Sequence, residues 1–173
     1  MGHRWRRHPH LYCYDCFTVI RPYPYKPGTY KPATGKQTGL ETFSKLSRTR
    51  WKFRNLGSWV VRMMNGKPEL SVHATGNACD LGYSATAKGR QTALEACRWY
   101  ARPDIAPKLG IVAIHDYMAN PPRAWRCDRD AWRAFTDGEL GAGGHWLHIE
   151  LAPEFGAMPA KAYEALWRSL PRP

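Results

Sequence analysis

Long apolar runs are missing from this chain of 173 residues. No segment approaches the ~20 consecutive apolar residues of a spanning helix, so no membrane span is expected. The basic start Met1-Gly2-His3-Arg4-Trp5-Arg6-Arg7 has no apolar stretch behind it, and no secretory signal peptide is visible. Work outside a cell would therefore need a route other than general secretion. Acidic residues are scarce, 14 against 26 Lys and Arg, which leaves a net charge of +12. That imbalance speaks of partners rather than of fold. Nucleic acid and anionic cell-wall polymers both suit it electrostatically. The sequence has no glycine-rich phosphate cradle, recognition-helix signature or paired-carboxylate metal motif, so a nucleic-acid partner is not expected. Nor is there one basic tail. Arg48, Arg50 and Arg54, and later Arg123, Arg126, Arg129 and Arg133, are dispersed, which fits a generally cationic exterior as well as a dedicated binding face.

Cysteine is too sparse for a disulfide scaffold, and the count of five is odd. Cys79 lies among small apolar residues and reads as a buried thiol. Cys13 and Cys16 form a CxxC with His8 and His10 upstream, compatible with a small zinc clip, a disulfide or an ordinary pair of thiols. No internal repeat is present.

What the chain does contain is enough apolar material, 43%, to build one core. Residues 1–36 stand apart from it. The run Arg21-Pro22-Tyr23-Pro24-Tyr25-Lys26-Pro27-Gly28, continuing to Lys31-Pro32, cannot form a helix or a central strand. It reads as an extended, basic, proline-rich N-terminal arm that docks on another protein or wraps the main domain.

Residues 37–173 form the expected domain. A helix-compatible stretch covers residues 40–46, followed by an apolar run at 59–64 and a turn signal at Asn65-Gly66. A strand and loop should carry His73 and Asp80. Residues 86–102 fit an amphipathic helix with Leu94, Cys97 and Trp99 among its apolar positions, ended by Pro103. A short β-rich run at 109–114 leads into His115-Asp116. Pro121-Pro122 interrupts, a Trp- and Arg-rich stretch follows at 124–135, and glycines mark a loop before a strand at 146–151. Residues 159–170 close as a helix, with Pro159 at its start and Pro171 at its end. Strands and helices mixed without strict alternation predict an α+β fold, a small antiparallel sheet with flanking helices.

Two stretches carry chemistry. Ser71-Val72-His73-Ala74-Thr75-Gly76-Asn77-Ala78-Cys79-Asp80 sets a histidine and an aspartate with six mostly small residues between them. A strand, a tight turn at Gly76 and a returning strand would bring both side chains to one point. His145-Trp146-Leu147-His148-Ile149-Glu150-Leu151 supplies a second imidazole, with Trp146, His148 and Glu150 sharing one strand face. Two imidazoles and one carboxylate suit a catalytic zinc with an open position. Such a metal lowers the pKa of its water towards ~7, and a nearby base completes the proton transfers.

The first stretch matches S-x-H-x-x-G-x-A-x-D through Ser71, His73, Gly76, Ala78 and Asp80. It resembles the first motif of the zinc D-alanyl-D-alanine carboxypeptidase family and of related bacteriophage cell-wall peptidases. Their second motif, E-x-x-H or H-x-H before a short strand, is similar to the region of His148. The resemblance spans roughly residues 57–151, and its first motif is the more specific. It implies zinc ligation by His73, Asp80 and His148, and peptidoglycan stem peptides as substrate. It also departs at one position, because the acid/base glutamate of E-x-x-H is His145 here. His145 becomes the leading acid/base candidate, with Glu150 on the metal side and Asp116 approaching from the preceding strand as further catalytic candidates. Ser71 and Arg62 are candidates for holding substrate, Arg62 because guanidinium forks suit carboxylates. Carboxypeptidase, endopeptidase and impaired enzyme all remain compatible with that substitution. With its basic surface and arm, the chain reads as a phage endolysin or as a virion component, such as a tail-tip subunit acting on the host cell wall beside other tail proteins. A peptidase fold kept for binding or structure, without turnover, is the alternative.

Overall fold

A computed structural model of the chain describes residues 31–64, 68–136 and 143–173. Helix α1 (Thr38–Trp51) and strand β1 (Arg54–Gly57) come first, then a single 3-10 turn (Val72–Thr75) and β2 (Ala78–Gly82). Helix α2 (Ala87–Tyr100), the short α3 (Ala106–Leu109) and β3 (Ile111–Asp116) follow. A hairpin of β4 (Arg123–Arg126) and β5 (Ala131–Ala134), then β6 (Trp146–Leu151), α4 (Pro153–Gly156) and α5 (Ala160–Ser169), complete the chain. The strands form one six-stranded sheet in the order β1-β2-β6-β3-β4-β5, every neighbouring pair antiparallel. The molecule is therefore α+β, an antiparallel sheet with flanking helices.

The helices form where propensity, capping and an apolar stripe agree. Thr86 caps α2, its side-chain oxygen accepting from the Gly89 N–H at 3.1 Å, which satisfies one of the helix's first free amides. The same helix buries Ala93, Ala96, Cys97, Trp99 and Tyr100. Leu94, expected on that face, is only partly buried. From α1, Leu40 and Phe43 enter the core completely, and Phe43 meets the rings of Tyr100, Tyr163 and Trp167. Each such side chain removed from water stabilises the fold by roughly 1.5–3 kcal/mol. The two deepest phenols do not sacrifice their hydroxyls, since Tyr100 donates to Ser47 and Tyr163 to the Leu109 carbonyl, both at 2.7 Å.

Strand alternation then gives the sheet two faces of different character. Cys79 and Leu81 of β2, Tyr83 just after it, Ile114 of β3, Trp125 of β4, and Leu147 and Ile149 of β6 point into the helix-covered core. Asp80, His148, Glu150 and His115 take the opposite parity, and this face carries the candidate site. Cys79 is a fully buried free thiol, as its surroundings in the sequence suggested.

Two expectations are corrected here. Residues 59–64 form neither helix nor strand; Met63 makes one isolated antiparallel bridge to Leu70. His73 lies not on a strand but on the 3-10 turn, which Gly76 closes with φ 72° and an N–H bond to the His73 carbonyl. A Cβ at Gly76 would fall 2.5 Å from the Gln37 side chain, so both the backbone angle and the space call for glycine. The Asn65-Gly66 turn, part of the glycine loop before β6, and Cys13, Cys16, His8 and His10 of the arm lie outside the described residues. Among the described residues no helix is long and apolar enough to cross a membrane.

Candidate metal centre

Three elements bring the ligand candidates together. The 3-10 turn delivers His73, β2 delivers Asp80 and β6 delivers His148, whose Cα is registered directly opposite Asp80. His73 Nε2 stands 3.3 Å from Asp80 Oδ2, and His148 Nδ1 stands 2.9 Å from Asp80 Oδ1. One donor atom from each of the three lies within 4.8 Å of the others, and the group can hold a metal ion. Tetrahedral bonds of about 2.0–2.2 Å put neighbouring donors about 3.3–3.6 Å apart, so this spacing needs only small side-chain adjustment. His73 and His148 are buried, while Asp80 keeps 24% of its side chain exposed, which opens the cluster to solvent on one side.

Glu150, a sequence candidate for catalysis, sits directly behind His148. The His148 Nε2–H donates to Glu150 Oε1 at 3.0 Å, and the glutamate is 3% exposed. This is how a ligand imidazole is normally oriented: a carboxylate holds one ring nitrogen as N–H and leaves the other to face the metal. The geometry gives Glu150 an orienting part on this histidine. Electrostatics agrees with a cation-seeking site. Burial opposes charge on His148, but the hydrogen bonds it donates to Asp80 and Glu150 override that and hold the imidazole up at about 10. Burial likewise works to raise the Asp80 carboxyl, yet the hydrogen bonds it accepts from His148 and His73 keep it well below the usual carboxylate range.

The structure does not bring Asp116 or His145 to this face. Asp116 is registered opposite Leu147 and so projects to the helix side, where it is fully buried. There the Arg90 guanidinium clamps both of its oxygens, at 2.6 and 2.9 Å, and Arg123 lies 3.6 Å away. His145, three residues before His148, also has the wrong parity. Its carbonyl accepts the Tyr83 N–H and its ring stands edge-on to Tyr83 at 5.7 Å, on the core side. Among the described residues its buried Nδ1 has no hydrogen-bond partner. Ser71 is buried at the start of the 3-10 turn, where its backbone joins the Arg62 carbonyl to the Ala74 N–H. Arg62 is exposed, and its charge acts on the Tyr117 hydroxyl.

Sequence reasoning assigned no part in the site to three aromatic residues on its face, His115, Tyr117 and Phe135. His115 of β3 is registered against His148, and the two rings are 4.8 Å apart. Burial and the neighbouring His148 push His115 down to about 4. Tyr117 returns its hydroxyl to within 3.4 Å of His115 Nδ1, and its ring stacks on Phe135 at 5.9 Å and meets Trp146 at 5.6 Å. The signal for His115 was present in the dipeptide His115-Asp116: alternation sends one of the two to each face, and only the pairing register says which.

No family model fits the chain, and comparison with curated proteins and with solved structures finds no match.

Proposed function

We propose that the chain is a zinc-dependent peptidoglycan peptidase cleaving stem peptides near D-amino acids, of the D-alanyl-D-alanine carboxypeptidase kind. The observation that carries this reading is the convergence of His73, Asp80 and His148, with Glu150 on the far nitrogen of His148. Two nitrogen donors, one oxygen donor and an open side favour zinc over ions that prefer all-oxygen cages. Zinc in such a setting supplies a Lewis acid and hydroxide at neutral pH. In this reading His73, Asp80 and His148 hold the ion, Glu150 fixes the imidazole, and the net charge of +12 draws the protein to an anionic wall. The fitting biological setting is a bacteriophage: an endolysin, or a tail-tip component of the virion that opens the host cell wall, with the N-terminal arm docking on other tail proteins.

The test joins metal analysis to product analysis. Wild-type protein should carry zinc at this site and release new termini from purified muropeptides, read by mass spectrometry, and His73→Ala should lose both. Protein that neither binds zinc nor cleaves would overturn the proposal. One observation favours a second reading: His145 packs on Tyr83 instead of beside His148. A wall-binding or structural virion protein that keeps the fold without turnover would hold zinc in the same assay and leave muropeptides intact.

A further inference from the structure

We infer that Tyr117 donates the hydrogen bond that stabilises the oxyanion formed at the scissile carbonyl, with His115 as its positioning residue. The inference rests on the peptidase reading and deepens it. Hydrolysis adds water across an amide. The water oxygen bonds to the carbonyl carbon and the carbonyl π pair moves onto oxygen as a negative charge. That pair then re-forms C=O as the C–N bond breaks, and the water's proton passes to the departing nitrogen. A neutral donor aimed at the transient charge is among the largest contributions a protein can make to such a step.

His145, at the motif position where relatives are expected to place their acid/base, is on the other side of the sheet, so a donor on the site face must come from another element. β3 supplies it. Its last site-facing residue is His115, packed 4.8 Å from the ring of His148, and the chain then turns so that the Tyr117 hydroxyl comes back to His115 Nδ1 at 3.4 Å. The phenol oxygen therefore meets the imidazole that packs against His148. With the proton on Nδ1, His115 donates to the phenol oxygen and leaves the phenol hydrogen free for a ligand. The ring is fixed on two sides, by Phe135 stacked at 5.9 Å and 21° and by Trp146 at 5.6 Å. A donor fixed before the reaction needs little rearrangement when the charge appears. The surroundings also keep it neutral: burial, with Asp80 and Glu150 close enough to act on it, pushes the phenol well above its ordinary range. Tyr117 thus gives a hydrogen bond and keeps its proton.

The experiment uses the full chain loaded with zinc and compares wild type with Tyr117→Phe on muropeptides. A phosphinate analogue of the stem dipeptide, which mimics the tetrahedral oxyanion, is titrated calorimetrically against both. Removing one such donor costs about 100-fold or more in kcat. The expected result is a kcat lowered about 100-fold with KM within about 2-fold, phosphinate affinity weakened in parallel, and zinc content unchanged. A second pair of variants covers the chance that Tyr117→Phe disturbs folding. His115→Ala should lower kcat about 10-fold, and His115→Asn, whose amide N–H replaces Nδ1–H, should recover most of that loss. A cleaving wild type matched in kcat and phosphinate affinity by Tyr117→Phe overturns the role of Tyr117 alone. A wild type that cleaves no stem peptide overturns the peptidase reading, and this role with it.

Discussion

The two faces of the sheet each carry an aspartate, and the partners of that aspartate decide what the face can do. On the helix side Asp116 is gripped by Arg90, a guanidinium that keeps its charge at any working pH and occupies both oxygens at 2.6 and 2.9 Å. On the open side Asp80 faces two imidazoles, His73 and His148. An imidazolium can release its proton to solvent and bind a metal ion through the freed nitrogen, and a guanidinium cannot. The first arrangement is a structural ion pair, and the second is a group that can hold a cation. Residue type alone does not separate them, because both are acidic side chains on strands that flank β6, with basic groups in reach.

The comparison can be broken from either side. The largest effect is expected from Asp80→Ala, which removes the bridging carboxylate: zinc binding should be lost, and the metal-free protein should also unfold at a lower temperature because His73 and His148 lose their buried partner. Retention of stoichiometric zinc would refute the ligand assignment. On the other face, Arg90→Ala leaves a buried carboxylate with only the more distant Arg123. Denaturant melts should show a loss of about 3 kcal/mol, with zinc affinity unchanged. If Arg90→Ala instead abolished zinc binding without destabilising the fold, the separation between the faces would fail.

Glu150→Gln is expected to be milder. The amide keeps the shape but accepts the His148 N–H more weakly, so zinc affinity measured by chelator competition should fall about 10- to 100-fold. No change would mean that Glu150 does not orient the ligand, and complete loss would make it a ligand itself. The smallest effect is reserved for His145→Ala. Because its ring packs on Tyr83, zinc content should be unchanged and muropeptide cleavage should stay within about 3-fold of wild type. A 100-fold drop would restore His145 as the acid/base group.

Much of this was legible in the chain before any fold was drawn. Strand β6 coincides with the run 146–151, Thr86 caps the helix expected there, and Gly76 closes the turn beside His73. The convergence of His73 and Asp80 was legible because their spacing and small intervening residues carry a local signal, and His148 joined them by resemblance of its stretch to a second motif. The surroundings of the triad were not, since they depend on which residue faces which across strands distant in sequence. His145 is the instructive case. Its odd offset from His148 already placed it on the opposite face by alternation, whereas analogy by motif put it at the metal. For His115 and Asp116 parity alone was insufficient, because choosing between them required the pairing of β3 with β6.

Zinc-edge X-ray absorption on the protein loaded with one equivalent of metal tests the central claim most directly. The account requires a shell of nitrogen and oxygen at about 2.0–2.2 Å, with the outer-shell scattering of two imidazoles, lost on Asp80→Ala. A shell dominated by sulfur at about 2.3 Å, or a spectrum indifferent to Asp80→Ala, would contradict it.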